Sequence, residues 1–347
     1  MLQKPFYKDF LLKIPMIIPF VCAIISFLIV WFMTPWLIKY LNRIGLIVKD
    51  MNKEGTPLVP VSGGLAVMAG VFAGLISFVF FRTFFPSTTG LVLDNGSLIH
   101  FFAGITSVLI IGFIGFIDDL IINKSHDRST GLKQWQKPLL TLSAAIPLMV
   151  VDAGTTVMGF PLLGKINVGL LYPLFFIPLG VVGAANMVNM LGGFNGMETG
   201  MGIIYTGMLG LYSYFHQSYI GALIALVTFT ALIGFYYYNK SPAKILAGDS
   251  LTYLLGAVLA SIAILGNMER AALIVSIPFF IEFFLKARSK FRAQSYGYYK
   301  DGKILSKYNK IYSIPHIFTK TGKFTEKQIT WFMILIELGF SSLIWII

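Results

Sequence analysis

Leu98-Ile-His-Phe-Phe-Ala-Gly-Ile-Thr-Ser-Val-Leu-Ile-Ile-Gly-Phe-Ile-Gly-Phe-Ile-Asp-Asp119 is a run of largely apolar residues closed by two adjacent aspartates. A stretch of about 20 apolar residues covers the hydrocarbon core of a bilayer as a helix. Charges are costly inside that layer, so a carboxylate pair at the end of such a stretch marks a candidate site at the membrane face. The rest of the chain repeats this pattern. Its 347 residues are 56% hydrophobic, 15% aromatic and only 12% charged, with a mean hydropathy of +0.78. A soluble domain carries roughly 25% charged residues. Half that fraction leaves too few charges for a water-facing surface, which excludes a soluble enzyme, a disordered chain and a nucleic-acid-binding domain despite the net charge of +12.

Ten apolar stretches are expected to span: 14–40, 62–85, 98–117, 137–152, 168–186, 196–215, 219–238, 248–266, 270–286 and 328–347. The fold class is therefore an all-α polytopic membrane protein, a single membrane domain over 1–347 that includes a long ninth loop, 287–327. The first stretch is retained rather than cleaved, because no small-residue cleavage site follows it. Loops on one side hold 21 Lys and Arg against 6 on the other. Basic residues collect on the cytoplasmic side, so the odd-numbered loops are expected in the cytoplasm and both termini outside. One cysteine, Cys22, rules out an intramolecular disulfide and any multi-cysteine metal site.

The ninth loop is the only segment long enough to fold outside the bilayer. Lys286-Ala-Arg-Ser-Lys-Phe-Arg292 is expected to prolong the ninth span as a basic surface helix. Tyr298-Tyr-Lys-Asp-Gly-Lys-Ile-Leu305 reads as a hairpin turning at Asp301-Gly302. Such a basic loop either rests on anionic lipid or forms a lid over a phosphorylated substrate.

Polar residues gather where the spans meet that same face. Asp118 and Asp119 close the third stretch, Lys137 opens the fourth, and Asp249 opens the eighth. Asn186, Asn189 and Asn195 surround the junction of the fifth and sixth. Each has an ordinary explanation as a helix cap, an interhelical hydrogen bond or a lipid contact. Adjacent aspartates point about 100° apart and form no dyad by spacing alone, whereas Asn186 and Asn189 share a helix face. Oxygen ligands at one depth, with lysines and Gly192, Gly193 and Gly196 beside them, suit a hard cation holding a diphosphate. Mg²⁺ takes one or two protein oxygens and completes its shell with phosphate and water; Mn²⁺ could take its place. Four scattered histidines, His100, His126, His216 and His316, do not suggest a soft-metal site.

These motifs resemble the polyprenyl-phosphate N-acetylhexosamine-1-phosphate transferases, which join a phosphosugar from a UDP-sugar to a lipid phosphate and release UMP. The resemblance rests on Pro60-Val-Ser-Gly-Gly64, Gly115-Phe-Ile-Asp-Asp119, Gly131-Leu-Lys-Gln-Trp-Gln-Lys137, Asn186-x-x-Asn189 with Gly193-Phe-Asn-Gly196, and Gly248-Asp249-Ser250, in order along nearly the whole chain. Bacterial members typically have Asp at the position of Gly192, those making the peptidoglycan precursor also at Asn195, and a His-rich ninth loop. Here that loop has only His316, and Thr319-Lys-Thr-Gly-Lys323 is similar to the eukaryotic enzyme that starts the dolichol-linked glycan. The mixture resembles an archaeal member acting on dolichyl phosphate.

The resemblance implies Asn189 and Asp249 as Mg²⁺ ligands, Lys137 on the diphosphate, and Asp118 and Asp119 beside the lipid phosphate. It places Asn195 toward uridine, Asn52 or Lys53 toward the lipid phosphate, and His316 and Lys320 near the sugar diphosphate; Asn186 belongs to the asparagine motif. The implied substrates are a UDP-N-acetylhexosamine and dolichyl or polyprenyl phosphate. Phosphoryl transfer needs charge neutralised and oxygens held in line. A phosphate monoester, with its second pKa near ~6, is largely dianionic at neutral pH and requires no strong base. Asp118 is left as a positioning group or a base. The alternative is a transporter of a nucleotide-sugar or another phosphorylated solute, which would place polar residues near the midplane and break helices there. Glu337, near the middle of the tenth stretch, marks either a polar path or a buried hydrogen-bonded carboxyl. Glu282 and Lys286 have the spacing of a helix ion pair. The motifs leave the oligomeric state open, a homodimer included.

Overall fold

The computed structural model describes residues 17–85, 95–122, 131–160 and 164–346. Lys4, Lys8, Lys13, Lys124, His126 and Arg128, which entered the charge and histidine readings, lie outside them. Helix α1 covers Ile17–Arg43, α2 Gly64–Phe84 and α3 Asn95–Ile122. The next apolar stretch is broken into α4 Gln136–Leu142, a 3₁₀ turn Ser143–Ala145 and α5 Ile146–Val150. A π turn, Tyr172–Phe176, leads into α6 Ile177–Met190. Then come α7 Met197–Phe215, α8 Tyr219–Asn239 and α9 Gly248–Gly266. Helices α10 Glu269–Val275 and α11 Ile277–Ala287 follow, then the short α12 His316–Thr319 and α13 Glu326–Ser342.

Among the described residues, seven helices are long and apolar enough to cross a membrane: α1, α2, α3, α6 with its π turn, α8, α9, and α13 with the 3₁₀ turn after it. Three of the ten expected stretches fall outside that set. The fourth and ninth are divided just before Pro147 and Pro278, each of which lacks a backbone N–H donor and crowds the carbonyl four residues back. The sixth, α7, is one continuous helix in which Glu198, Thr199, Thr206 and Ser213 dilute the apolar run. Glu337 is fully buried in α13, and its Oε1 accepts from Ser341 one turn on.

Helix α9 is the centre of the bundle, buried along nearly its whole length, and it packs on α2, α3, α6 and α8. Helices in lipid gain little from hydrophobicity between them, so close approach through small residues does the packing. Gly115 of α3 lies against the Asp249 carbonyl, and Gly64 of α2 against the backbone of Ser250 and Leu251. Any side chain at either glycine would push a neighbour off the first turn of α9. Two short strands complete this end: β1 Ile47–Lys49 pairs antiparallel with β2 Leu58–Pro60, Val48 opposite Val59. The segment before α9 lies along β2, with Leu246 N–H donating to the Pro60 carbonyl at 2.8 Å and Gly63 N–H returning to Leu246 at 3.0 Å. The first loop is thereby fixed to the residues that present Asp249.

A second hairpin, β3 Val157–Phe160 with β4 Gly164–Asn167, follows the broken fourth stretch. In the ninth loop, β5 Tyr298–Lys300 pairs with β6 Lys303–Leu305 across Asp301 and Gly302, both at positive φ. The expected basic helical extension over 286–292 does not form. Helix α11 stops at Ala287 because Lys286 turns its ammonium inward onto the Ala293 carbonyl, 2.6 Å away. The backbone reverses through Lys290 and Phe291, both at positive φ.

Candidate active site

The last two turns of α3, the start of α4, the end of α6 and the first turn of α9 meet at one end of the bundle. Lys137 Nζ is 2.7 Å from Asp118 Oδ2 and 3.2 Å from Asp249 Oδ2. Asp118 is fully buried, and its other oxygen accepts the Leu132 N–H at 2.6 Å. That bond ties the segment carrying Lys137 back to α3. Asp119, also fully buried, points elsewhere. Its carboxylate accepts from the backbone N–H of Asp249 at 2.7 Å and of Ser250 at 3.1 Å, and from the Ser62 hydroxyl at 2.8 Å. It satisfies donors that the start of α9 would otherwise leave orphaned, where the helix dipole also favours an anion. The adjacent aspartates thus divide their work, Asp118 holding the lysine and Asp119 holding the helix that carries Asp249.

Asp249 keeps 20% of its side chain exposed and lines a cleft with Asp119, Asn189, Thr252, Gly192, Gly193, Glu198, Lys286 and 294–296 of the ninth loop. Asn189 Nδ2 donates to Asp249 Oδ2 at 3.3 Å, and Asn189 Oδ1 accepts from Thr252 Oγ1 at 2.8 Å. The donor set fits a hard cation that takes few protein ligands. No group of three or more His, Cys, Asp or Glu side chains suited to a metal occurs among the described residues, and Mg²⁺ needs only one or two carboxylate or amide oxygens when phosphates complete its shell. Turning the Asn189 amide over would present its oxygen beside Asp249 while Thr252 Oγ1 accepts from the amide nitrogen.

The remaining expected site residues are placed apart from this cluster. Asn186, one turn before Asn189, donates to Thr141 Oγ1 of α4 at 3.0 Å and to the Val182 carbonyl of its own helix. It fastens α6 to α4. Asn52, Lys53 and Asn195 converge on Glu326, at the start of α13. Lys53 pairs with Glu326 through its ammonium, Asn195 N–H donates to Glu326 Oε1 at 3.0 Å, and Ser241 Oγ to Oε2 at 3.0 Å. Asn195 Nδ2 donates to Asp50 at 2.9 Å, and Asn52 Nδ2 to the Gly193 carbonyl at 2.8 Å. This knot joins three loops to α13 and adjoins the cleft through Gly193.

His316, which the resemblance places near the sugar diphosphate, holds the ninth loop together. Its Nδ1 accepts the Tyr312 N–H at 3.2 Å, which leaves Nε2 to donate to the Gln294 carbonyl at 2.9 Å. Its ring stacks on Tyr308. Burial pushes the imidazole below the ordinary histidine pKa. Lys320 ends α12 with an exposed side chain. Glu282 of α11 anchors the same loop: it accepts from Ser313 Oγ at 2.7 Å, Ile314 N–H at 2.8 Å and Ser295 Oγ at 3.3 Å, with Lys286 at 3.7 Å. The helix ion pair expected from the spacing of Glu282 and Lys286 forms, and the carboxylate in addition gathers the loop that walls the cleft.

Known proteins supply the context for this geometry. The profile of glycosyl transferase family 4 matches residues 101–267. A Saccharolobus solfataricus protein, provisionally named a UDP-N-acetylglucosamine–dolichyl-phosphate N-acetylglucosaminephosphotransferase, is 34% identical over 308 residues, covering 88% of this chain and 89% of that one. The chain belongs to glycosyl transferase family 4. A Sulfolobus acidocaldarius protein with the same provisional name is 34% identical over 324 residues, covering 92% and 93%. The phospho-N-acetylmuramoyl-pentapeptide-transferase of Staphylococcus haemolyticus is 31% identical over 279 residues, covering 76% and 81%. The matched span contains Asp118, Asp119, Lys137, Asn189 and Asp249 but neither the first nor the ninth loop.

Four acidic residues of this family 4 glycosyl transferase escaped the sequence reading: Asp50, Glu198, Glu282 as a loop anchor, and Glu326. A signal existed for Glu326, because Thr325-Glu-Lys-Gln328 is a capping box and the structure forms it. Glu198 follows the asparagine motif in the first turn of α7, where an acid is ordinary. Nothing local distinguishes it from a simple helix-terminus charge. Chemically, the cluster offers one ammonium between two carboxylates, one of which, Asp249, lines a polar cleft.

Proposed function

We propose that the protein transfers N-acetylglucosamine-1-phosphate from UDP-N-acetylglucosamine to dolichyl or polyprenyl phosphate, releasing UMP, as the first step of lipid-linked glycan assembly for N-glycosylation. The observation that carries it is the convergence of Lys137, Asp118, Asn189 and Asp249 from four distant segments beside a cleft. The names of the two archaeal relatives support the substrates. In this reading an oxygen of the lipid phosphate attacks the β-phosphorus of the UDP-sugar. The bond from that phosphorus to the bridging oxygen breaks, and UMP leaves with the electron pair. Lys137 reduces the repulsion between the two anionic substrates. Asp119 keeps the first turn of α9 in register, and Asp118 keeps Lys137 beside Asp249. Mg²⁺, with Asn189 and Asp249 as its protein ligands and Mn²⁺ as a substitute, would supply further charge neutralisation on the diphosphate.

We further read the chain as ten spans with the site on the cytoplasmic face and both termini outside, on the 21-to-6 distribution of basic residues. Purified protein given UDP-N-acetylglucosamine, dolichyl phosphate and Mg²⁺ should release UMP only when lipid and metal are both present, and Asp249→Ala should not. Folded wild-type protein that releases no UMP with any of several UDP-sugars would overturn the reading.

A further inference from the structure

The cleft is lined by two chemically different groups of residues. In one, Asp249 and Asn189 lie beside Lys137. In the other, the Gly192–Gly193 turn lies against Tyr296 of the ninth-loop side, and the carboxylate of Glu198 reaches it. Glu198 Oε1 accepts the Gly193 N–H at 2.7 Å. The Gly193 carbonyl is held from the opposite side by Asn52 at 2.8 Å. The turn, with Gly193 at φ +116°, is therefore clamped at both its donor and its acceptor. Gly192 has no such positive φ, so its backbone would tolerate a side chain. What occupies that space is Glu198 itself, whose Oε1 lies 2.8 Å from where a Cβ on Gly192 would be. The cleft has a seat for one carboxylate at this point, and the chain fills it from residue 198.

A carboxylate repels phosphate but is a strong acceptor for hydroxyl and amide donors, which it binds with short charge-assisted hydrogen bonds. We propose that Glu198 is a specificity-determining residue that accepts hydrogen bonds from the uncharged, polyhydroxylated part of the nucleotide-sugar, its ribose or its N-acetylhexosamine, while the phosphates lie toward Lys137 and Asp249. This rests on the transferase reading above. It assigns a role to Gly192 as well: the absence of a side chain there makes room for the carboxylate.

The test compares Glu198→Ala, Glu198→Gln, Gly192→Asp and the double variant Gly192→Asp/Glu198→Ala as full-length proteins. Both Glu198 variants should raise the KM for UDP-N-acetylglucosamine by about 10- to 100-fold, the range for losing a hydrogen bond to a charged group, with the KM for lipid phosphate unchanged. Gly192→Asp alone should be impaired, because two carboxylates then compete for one seat. In the double variant the aspartate should recover about tenfold of the loss, a gain that a misfolded protein cannot show. Inhibition by UMP distinguishes the sources: a parallel rise in its inhibition constant places the contact on the ribose, and an unchanged one places it on the sugar. Unaltered donor KM and UMP inhibition in both Glu198 variants would overturn the assignment while leaving the transferase intact. Calorimetry with UMP and UDP-N-acetylglucosamine reads the same contact without turnover, and a wild-type protein that bound neither would overturn both.

Discussion

Asp118 and Asp119 share a peptide bond and do different things. The fully buried Asp119 carboxylate serves two backbone N–H groups and a hydroxyl, the bonds to Ser250 and Ser62 buried and the one to Asp249 partly buried, and Asp249 leaves a fifth of its side chain open to the cleft. Removing an acceptor from buried donors costs their full desolvation. Asp119→Ala should therefore lower unfolding stability by about 2–4 kcal/mol, seen as a fall in the thermal midpoint in detergent, and activity should fall with it. Asp249→Ala should cost at least about 100-fold in turnover with the midpoint close to wild type. Equal midpoints in the two variants would refute the division of labour. The sequence shows both aspartates as equivalent candidates, because spacing gives direction around a helix axis and not the identity of the partner. That Asp119 faces the start of α9 depends on Gly115 letting α3 approach it, a contact between segments more than 100 residues apart.

At the scale of elements, the ninth loop behaves as one hydrogen-bonded unit through Glu282 and His316, and it brings Gln294, Ser295 and Tyr296 to the cleft. Burial depresses the His316 pKa, and the Lys286 ammonium acts in the same direction. The folded loop therefore binds fewer protons than the unfolded one. Its stabilisation is present above the ordinary histidine value of about 6.5 and is lost as pH falls through the depressed one. Hydrogen exchange over 294–316, corrected for intrinsic rates, should accelerate as pH falls below the ordinary histidine value of about 6.5 in wild type and stay flat in His316→Asn. A flat wild-type profile would remove His316 from this role. The long uniform helices were legible because apolar length alone specifies them, as 248–266 against α9 Gly248–Gly266 illustrates. The breaks at Pro147 and Pro278 could have been read from proline placement. The early stop of α11 could not, since it depends on Lys286 finding the Ala293 carbonyl and Glu282 rather than water.

For the whole molecule, the site and the basic loops belong to one end of the bundle. The Lys137 cluster, the Glu326 knot and the ninth loop all adjoin the first turn of α9 or the turn before α7. The β3–β4 hairpin follows α5, whose chain has run from Lys137 at α4 away from that cluster. Charge counting, which uses loop composition and no contact at all, assigns the basic loops to the cytoplasm. Taken with their place beside the site, it makes a prediction about sidedness. Cys22 is fully buried, so a single introduced cysteine should dominate labelling by a membrane-impermeant maleimide. Lys323→Cys in the ninth loop and Asn167→Cys in β4 are both exposed positions. In intact cells Asn167→Cys should label and Lys323→Cys should not, and permeabilisation should admit label to Lys323→Cys. Labelling of both in intact cells would break the polarity that puts the site in the cytoplasm. The reverse pattern would place the site outside, where a nucleotide-sugar made in the cytosol could not reach it.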